Sequence, residues 1–136
     1  MAVSYTLIYL LFGYFIAWRV PVVRDFYGGG DLVSFGQHVL SRPVLKHVIP
    51  LQLARGILWF GIALVIIRMH GGGWFEVAFA VALCFAVLMN AQLLLPNPIM
   101  PAEVRMIHLI ETASSNFLFG LALVSILFAF SRRTTQ

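Results

Sequence analysis

Leu95–Phe117 reads LPNPIMPAEVRMIHLIETASSNF. Pro96, Pro98 and Pro101 make a corner, since each fixes its own φ and turns the preceding residue away from the helical region. Two X-Pro bonds so close favour a stiff corner over a hinge. Beyond it, Glu103 complements a helix N-terminus. The helix then carries Arg105, His108, Glu111, Thr112, Ser115 and Asn116 into apolar sequence, and residues 112–131 hold no charge. A helix of this kind inside lipid implies that its ionisable groups have partners or a task, because charge at that depth is costly.

The rest of the chain supports a lipid environment. Of its 136 residues 61% are hydrophobic and only 10% charged, against about 25% charged in soluble domains. The mean hydropathy is +0.94. The net charge of +4 does not point to nucleic acid, since the Lys and Arg residues stand singly at the edges of apolar segments, as membrane anchors do. Cys84 is the sole cysteine, which leaves no disulfide within the chain and no cysteine-based metal site. The first apolar segment lacks a positive leader and a small-residue cleavage site, so it is expected to be retained.

The expected fold is an all-α integral membrane protein, one domain over residues 1–136, built as a four-transmembrane-helix bundle. The spans are expected at about 4–23, 50–67, 74–95 and 102–130, each near the ~20 residues that cross a bilayer. Residues 24–49 form the polar first loop. Tyr27-Gly28-Gly29-Gly30 opens it as a flexible break. Asp31 is then an N-cap for LVSFGQHVL, a short interfacial helix with Leu32, Phe35, Val39 and Leu40 on its apolar stripe and Gln37 and His38 off it. Ser41-Arg42-Pro43 ends that helix. His38, His47 and His70 read as interfacial residues.

Orientation is weakly encoded. Arg68, Arg132 and Arg133 share one side with both termini, and Arg19, Arg24, Arg42 and Lys46 share the other. The positive-inside rule therefore leaves open a fixed orientation or dual insertion with an antiparallel homodimer. The expected partners are the bilayer, a second copy or a larger membrane complex, and the expected location is the plasma (inner) membrane of a prokaryote.

Two seams match across the corner. Ala78, Ala82, Ala86 and Asn90 recur every four residues, as do His108, Thr112, Asn116 and Gly120. Small residues let membrane helices approach closely. A hairpin turning near Ile99 pairs Asn90 with His108, Ala86 with Thr112, Ala82 with Asn116 and Ala78 with Gly120. Arg105, His108 and Glu111 wind round a neighbouring face. Arg55 lies about five residues inside its own segment, entering from the same side of the bilayer. It is expected to meet Glu111, with Asn90, Gln92 or Gln52 as bridges.

The polar cluster is thus Arg55, Asn90, Arg105, His108, Glu111, Thr112 and Asn116. It has three readings: an ion pair that fixes packing, a pocket for a small solute or lipid, or acid–base catalysis by His108 and Glu111. No nucleophile motif accompanies the third reading, and neither Ser114 nor Ser115 sits on a nucleophile elbow. No second His has the spacing for zinc or haem. The expectation is therefore a protein without cofactor that binds or moves a small solute or lipid, with a membrane enzyme acting on lipid left open as a third reading. The alternative is a membrane subunit or scaffold whose cluster is structural.

Overall fold

Pro21 and Asn90 decide where two of the helices end. The computed structural model describes residues 1–28, 34–41 and 43–133, without the side chains of residues 132 and 133. All regular structure among these residues is helical. The first helix, α1 (Ala2–Phe12), continues as a π-helical turn, Gly13–Ala17, closed by Trp18 N–H donating to Gly13 O at 2.8 Å. Val20 is then extended (φ −97°, ψ 121°), as its position before proline requires, and Pro21 opens a short α2 (Pro21–Phe26). The expected span at 4–23 is therefore interrupted at residues 18–20, between the π-helical turn and α2.

After α2 the chain turns at Gly28, whose φ of +69° is left-handed, a conformation that costs glycine nothing. The interfacial helix exists as α3 (Phe35–Val39). Its cap is Ser34, not Asp31: Gln37 N–H donates to Ser34 Oγ at 3.2 Å and Ser34 N–H to Gln37 Oε1 at 2.9 Å, a reciprocal capping box. Asp31, Leu32 and Arg42 lie outside the described residues. The stripe also differs from the expected one, with Leu40 71% exposed and His38 turned inward.

A second π-helical turn, Val44–Val48, runs into α4 (Ile49–Met69). Helix α5 (Trp74–Leu88) starts where Glu76 Oε2 accepts Gly73 N–H at 3.1 Å, so Glu76 serves as a helix cap. It stops seven residues short of the expected Leu95, and Asn90 explains why. Asn90 Nδ2 donates to Ala86 O at 2.8 Å, which displaces the main-chain bond of the next turn, while Asn90 N–H turns back to Val87 O. A 3-10 turn, Ala91–Leu94, and the proline corner follow, with Asn97 Oδ1 accepting Ile99 N–H. Helix α6 (Ala102–Arg133) begins directly after Pro101.

Among the described residues, two helices are long and apolar enough to cross a membrane, Val44–Met69 and Ala102–Ser131. Ala2–Ala17 and Trp74–Leu88 are apolar but shorter, so helix length does not support the expected four spans.

Helices α5 and α6 form the expected antiparallel hairpin, with its register shifted by one helical turn. A Cβ on Gly120 would stand 2.6 Å from Ala82 Cα, so Gly120 faces Ala82 and not Ala78. The hairpin thus turns about Pro101 rather than Ile99. Helix α1 lies antiparallel to α6: Tyr5 meets Phe119 edge-on at 5.0 Å, and Gly13 faces Glu111. It also crosses α4 closely at Gly56, where a Cβ would lie 2.8 Å from Ala2 Cα. Phe85 and Phe119 stack at the centre of the main core.

Buried polar side chains are mostly tied to their own helices. Thr112 Oγ1 donates to His108 O, Ser115 Oγ to Thr112 O and Thr6 Oγ1 to Ala2 O, which suits an apolar surround. Large apolar side chains face outward instead, among them Leu7, Phe15, Ile57, Leu83 and Ile110.

Candidate functional site

The end of the bundle nearest the first loop encloses a cavity of about 560 Å³, within the range of about 300–1,000 Å³ usual for small-molecule sites. Each wall has a local cause. The π-helical turn widens the end of α1 and leaves Gly13 without a side chain opposite α6. The second π-helical turn brings Val44 and Val48 to the opposite wall. Such turns recur at functional sites. Helix α3 forms the lid: Phe35 packs against Tyr14 at 5.3 Å and Trp18 at 5.7 Å, and His38 lies on Trp18 at 4.6 Å.

Glu111 lies at the floor, 2% exposed. His108, one turn earlier on α6, holds Glu111 Oε2 with its Nδ1 at 2.6 Å, a length expected of a charge-assisted bond. The other ring nitrogen, Nε2, meets Tyr27 Oη at 2.9 Å. Burial and the neighbouring Glu111 charge push the Tyr27 phenol above its ordinary value, so Tyr27 keeps its proton at neutral pH. One neutral tautomer satisfies both contacts: Tyr27 O–H donates to Nε2, and Nδ1–H donates to the carboxylate. A chain of three side chains thus leads from the buried carboxylate to the half-exposed phenol on the loop.

Of the cluster expected from sequence, the structure brings together His108 and Glu111, with Thr112 anchored on the His108 carbonyl. No ion pair or hydrogen bond joins Arg55 to Glu111. Tyr9 stands within electrostatic reach of both. Asn90 is spent on the end of α5. Arg105 is half-buried and does not line the cavity, and Asn116 is buried with Nδ2 unpaired. Among the described residues, no three His, Cys, Asp or Glu side chains gather as a metal set.

Sequence reasoning missed Tyr27 and His38 as site residues. The aromatic spacing Trp18, Tyr27, Phe35, His38 across a nominally polar loop was the available signal.

Burial of His38 holds its pKa below the ordinary 6.5, since the charged ring is poorly solvated against Trp18 and Tyr27. Above pH 6.5 both docked and undocked α3 carry a neutral ring, and docking is at full strength. Below it the undocked imidazole takes a proton that the docked one resists, so docking weakens as pH falls. Acidification from pH 7.5 to 5 is therefore expected to loosen α3 and change Trp18 fluorescence, read in a Trp59→Phe, Trp74→Phe background. A His38→Phe variant should lose most of that response. Tighter docking at pH 5 would contradict the assignment.

Comparison with known protein families, curated proteins and solved structures finds no match to this chain.

Proposed function

We propose that this chain is an integral membrane protein whose four apolar helices pack as a bundle in the bilayer, and that it binds a small amphipathic molecule or lipid in the cavity beside Glu111. The observation that carries the reading is that cavity: a buried carboxylate lines an otherwise mainly apolar space next to two π-helical turns. A carboxylate kept only for helix packing would be expected in a dry, closed setting.

The bilayer assignment rests on the two full-length apolar helices and on the outward apolar faces. Of the two shorter helices, α5 reaches far enough with its extension. Helix α5 continued through the 3-10 turn spans roughly 30 Å at the usual rise per residue, comparable to a bilayer core of about 30 Å.

The test is retention of ligand. The wild-type protein, extracted into nanodiscs with its native lipids, is analysed by native mass spectrometry beside Val48→Trp and Val39→Trp, which fill the cavity from two different walls. The expected result is a bound small molecule or lipid in the wild type that both variants lose at unchanged melting temperature. Identical bound species in all three proteins would refute the reading.

A further inference from the structure

The floor of the cavity carries more chemical information than its size. Glu111 Oε2 is occupied by His108, but Oε1 accepts no hydrogen bond from any described residue. It lies 3.2 Å from the point where a Cβ on Gly13 would stand, and both residues line the cavity. That oxygen opens onto the cavity, where a donor from outside the protein can reach it. Neither Lys nor Arg is present among the described lining residues. Of the two lining imidazoles, His38 is kept neutral by burial, and His108 is committed to Glu111 and Tyr27. Among the described lining residues the carboxylate of Glu111 is thus the one acidic group, and it offers an acceptor to a positive donor. The remaining wall near the lid is aromatic, with Tyr9, Trp18, Tyr27 and Phe35, and aromatic faces attract cations.

We propose that the cavity takes an organic ammonium that bears N–H donors and an apolar body, the chemistry of a primary amine. Its ammonium donates to Glu111 Oε1, and its apolar part lies against the aromatic wall. This assignment rests on the cavity being a ligand site. The same chemistry is available from a free amphipathic amine or from the headgroup of an ethanolamine lipid. A quaternary ammonium has the charge but no N–H, so it satisfies the aromatic wall and leaves Oε1 without a donor.

The experiment measures binding to the full chain in phosphatidylglycerol nanodiscs by calorimetry. The probes are 2-phenylethylamine, 2-phenylethyltrimethylammonium, 2-phenylethanol and 3-phenylpropionate. The amine is expected to bind tightest, with the quaternary ion about tenfold weaker, because a hydrogen bond to a charged group is lost. The carboxylate probe is expected not to bind. Glu111→Gln should weaken the amine by about tenfold or more. Gly13→Ala tests the same oxygen while keeping the carboxylate and a helical backbone (φ −55° at Gly13). Its methyl group covers Oε1 and should weaken the amine while sparing 2-phenylethanol.

Repeating the titration with phosphatidylethanolamine in the disc separates the two sources. Competition by that lipid assigns the site to the headgroup, and its absence assigns it to a free amine. Equal binding of amine and alcohol, lost in Val48→Trp, would overturn the ammonium assignment and leave the cavity reading standing. Absence of saturable binding by all four probes would overturn both.

Discussion

Gly120→Val is expected to cost the protein more stability than any other single change at a helix crossing. A Cβ at this position meets Ala82 Cα at 2.6 Å and Ala82 N at 2.9 Å. Both are backbone atoms, so no side-chain rotation relieves the overlap, and α5 and α6 must separate. Overpacking of a tight contact usually costs about 1–3 kcal/mol. The expected loss is about 2 kcal/mol for Gly120→Ala, with a larger loss for Gly120→Val, because separation also loosens Phe85 against Phe119. Ala82→Gly should not rescue either variant, since it removes only the Ala82 Cβ, the third contact at 3.3 Å. Gly61 provides the contrast: nothing lies within 4 Å of its would-be Cβ, so Gly61→Ala is expected to be neutral or slightly stabilising. Reversible unfolding in mixed micelles measures all four variants. Equal stability of Gly120→Val and wild type would rule out the observed register.

His108→Leu is the second large effect. It removes the donor of Glu111 Oε2 and leaves a buried carboxylate unpartnered on that side. Leaving a buried polar group without its hydrogen-bond partner costs about 1–3 kcal/mol, and more when it is charged. The upper end of that range applies here, because the group is charged but its Oε1 already faces the cavity. Replacing both residues by leucine is expected to recover most of the loss, since no unpaired charge remains. Glu111→Leu alone should fall between, leaving a neutral imidazole still bonded to Tyr27. A double-mutant cycle on unfolding free energies reads the coupling directly. Additive losses would mean that His108 and Glu111 do not act as a pair.

Much of the fold was legible because it depends on local chemistry. Pro101 precedes α6, and apolar runs supply the helices. The errors came from side chains that act on their own backbone. Asn90, expected across the hairpin, instead bonds the Ala86 carbonyl and ends α5 early. The register also differs from the expected one by a turn, with Gly120 on Ala82. Asp31 and Ser34 are both sound cap residues by type, and Ser34 forms the capping box with Gln37.

The candidate site was half legible. His108 and Glu111 stand three residues apart on one helix, so their contact follows from helical geometry. Arg55 is equally basic and expected at a similar depth, yet it makes no contact with Glu111. Side-chain depth says nothing about which face of a neighbouring helix turns inward. Tyr27 is 81 residues from His108 in sequence, and no periodicity links them.

By itself, the sequence determined an apolar helical protein, a corner before α6 and the three-residue spacing that lets His108 reach Glu111, all of them properties of composition or of neighbours within one helical turn. Only the tertiary structure decided that Glu111 meets His108 and not Arg55, that Gly120 faces Ala82, and that Tyr27 and Gly13 meet the pair beside a cavity. These outcomes depend on how far each helix runs and which face it presents. Competition between packing and backbone hydrogen bonding across the whole chain sets both.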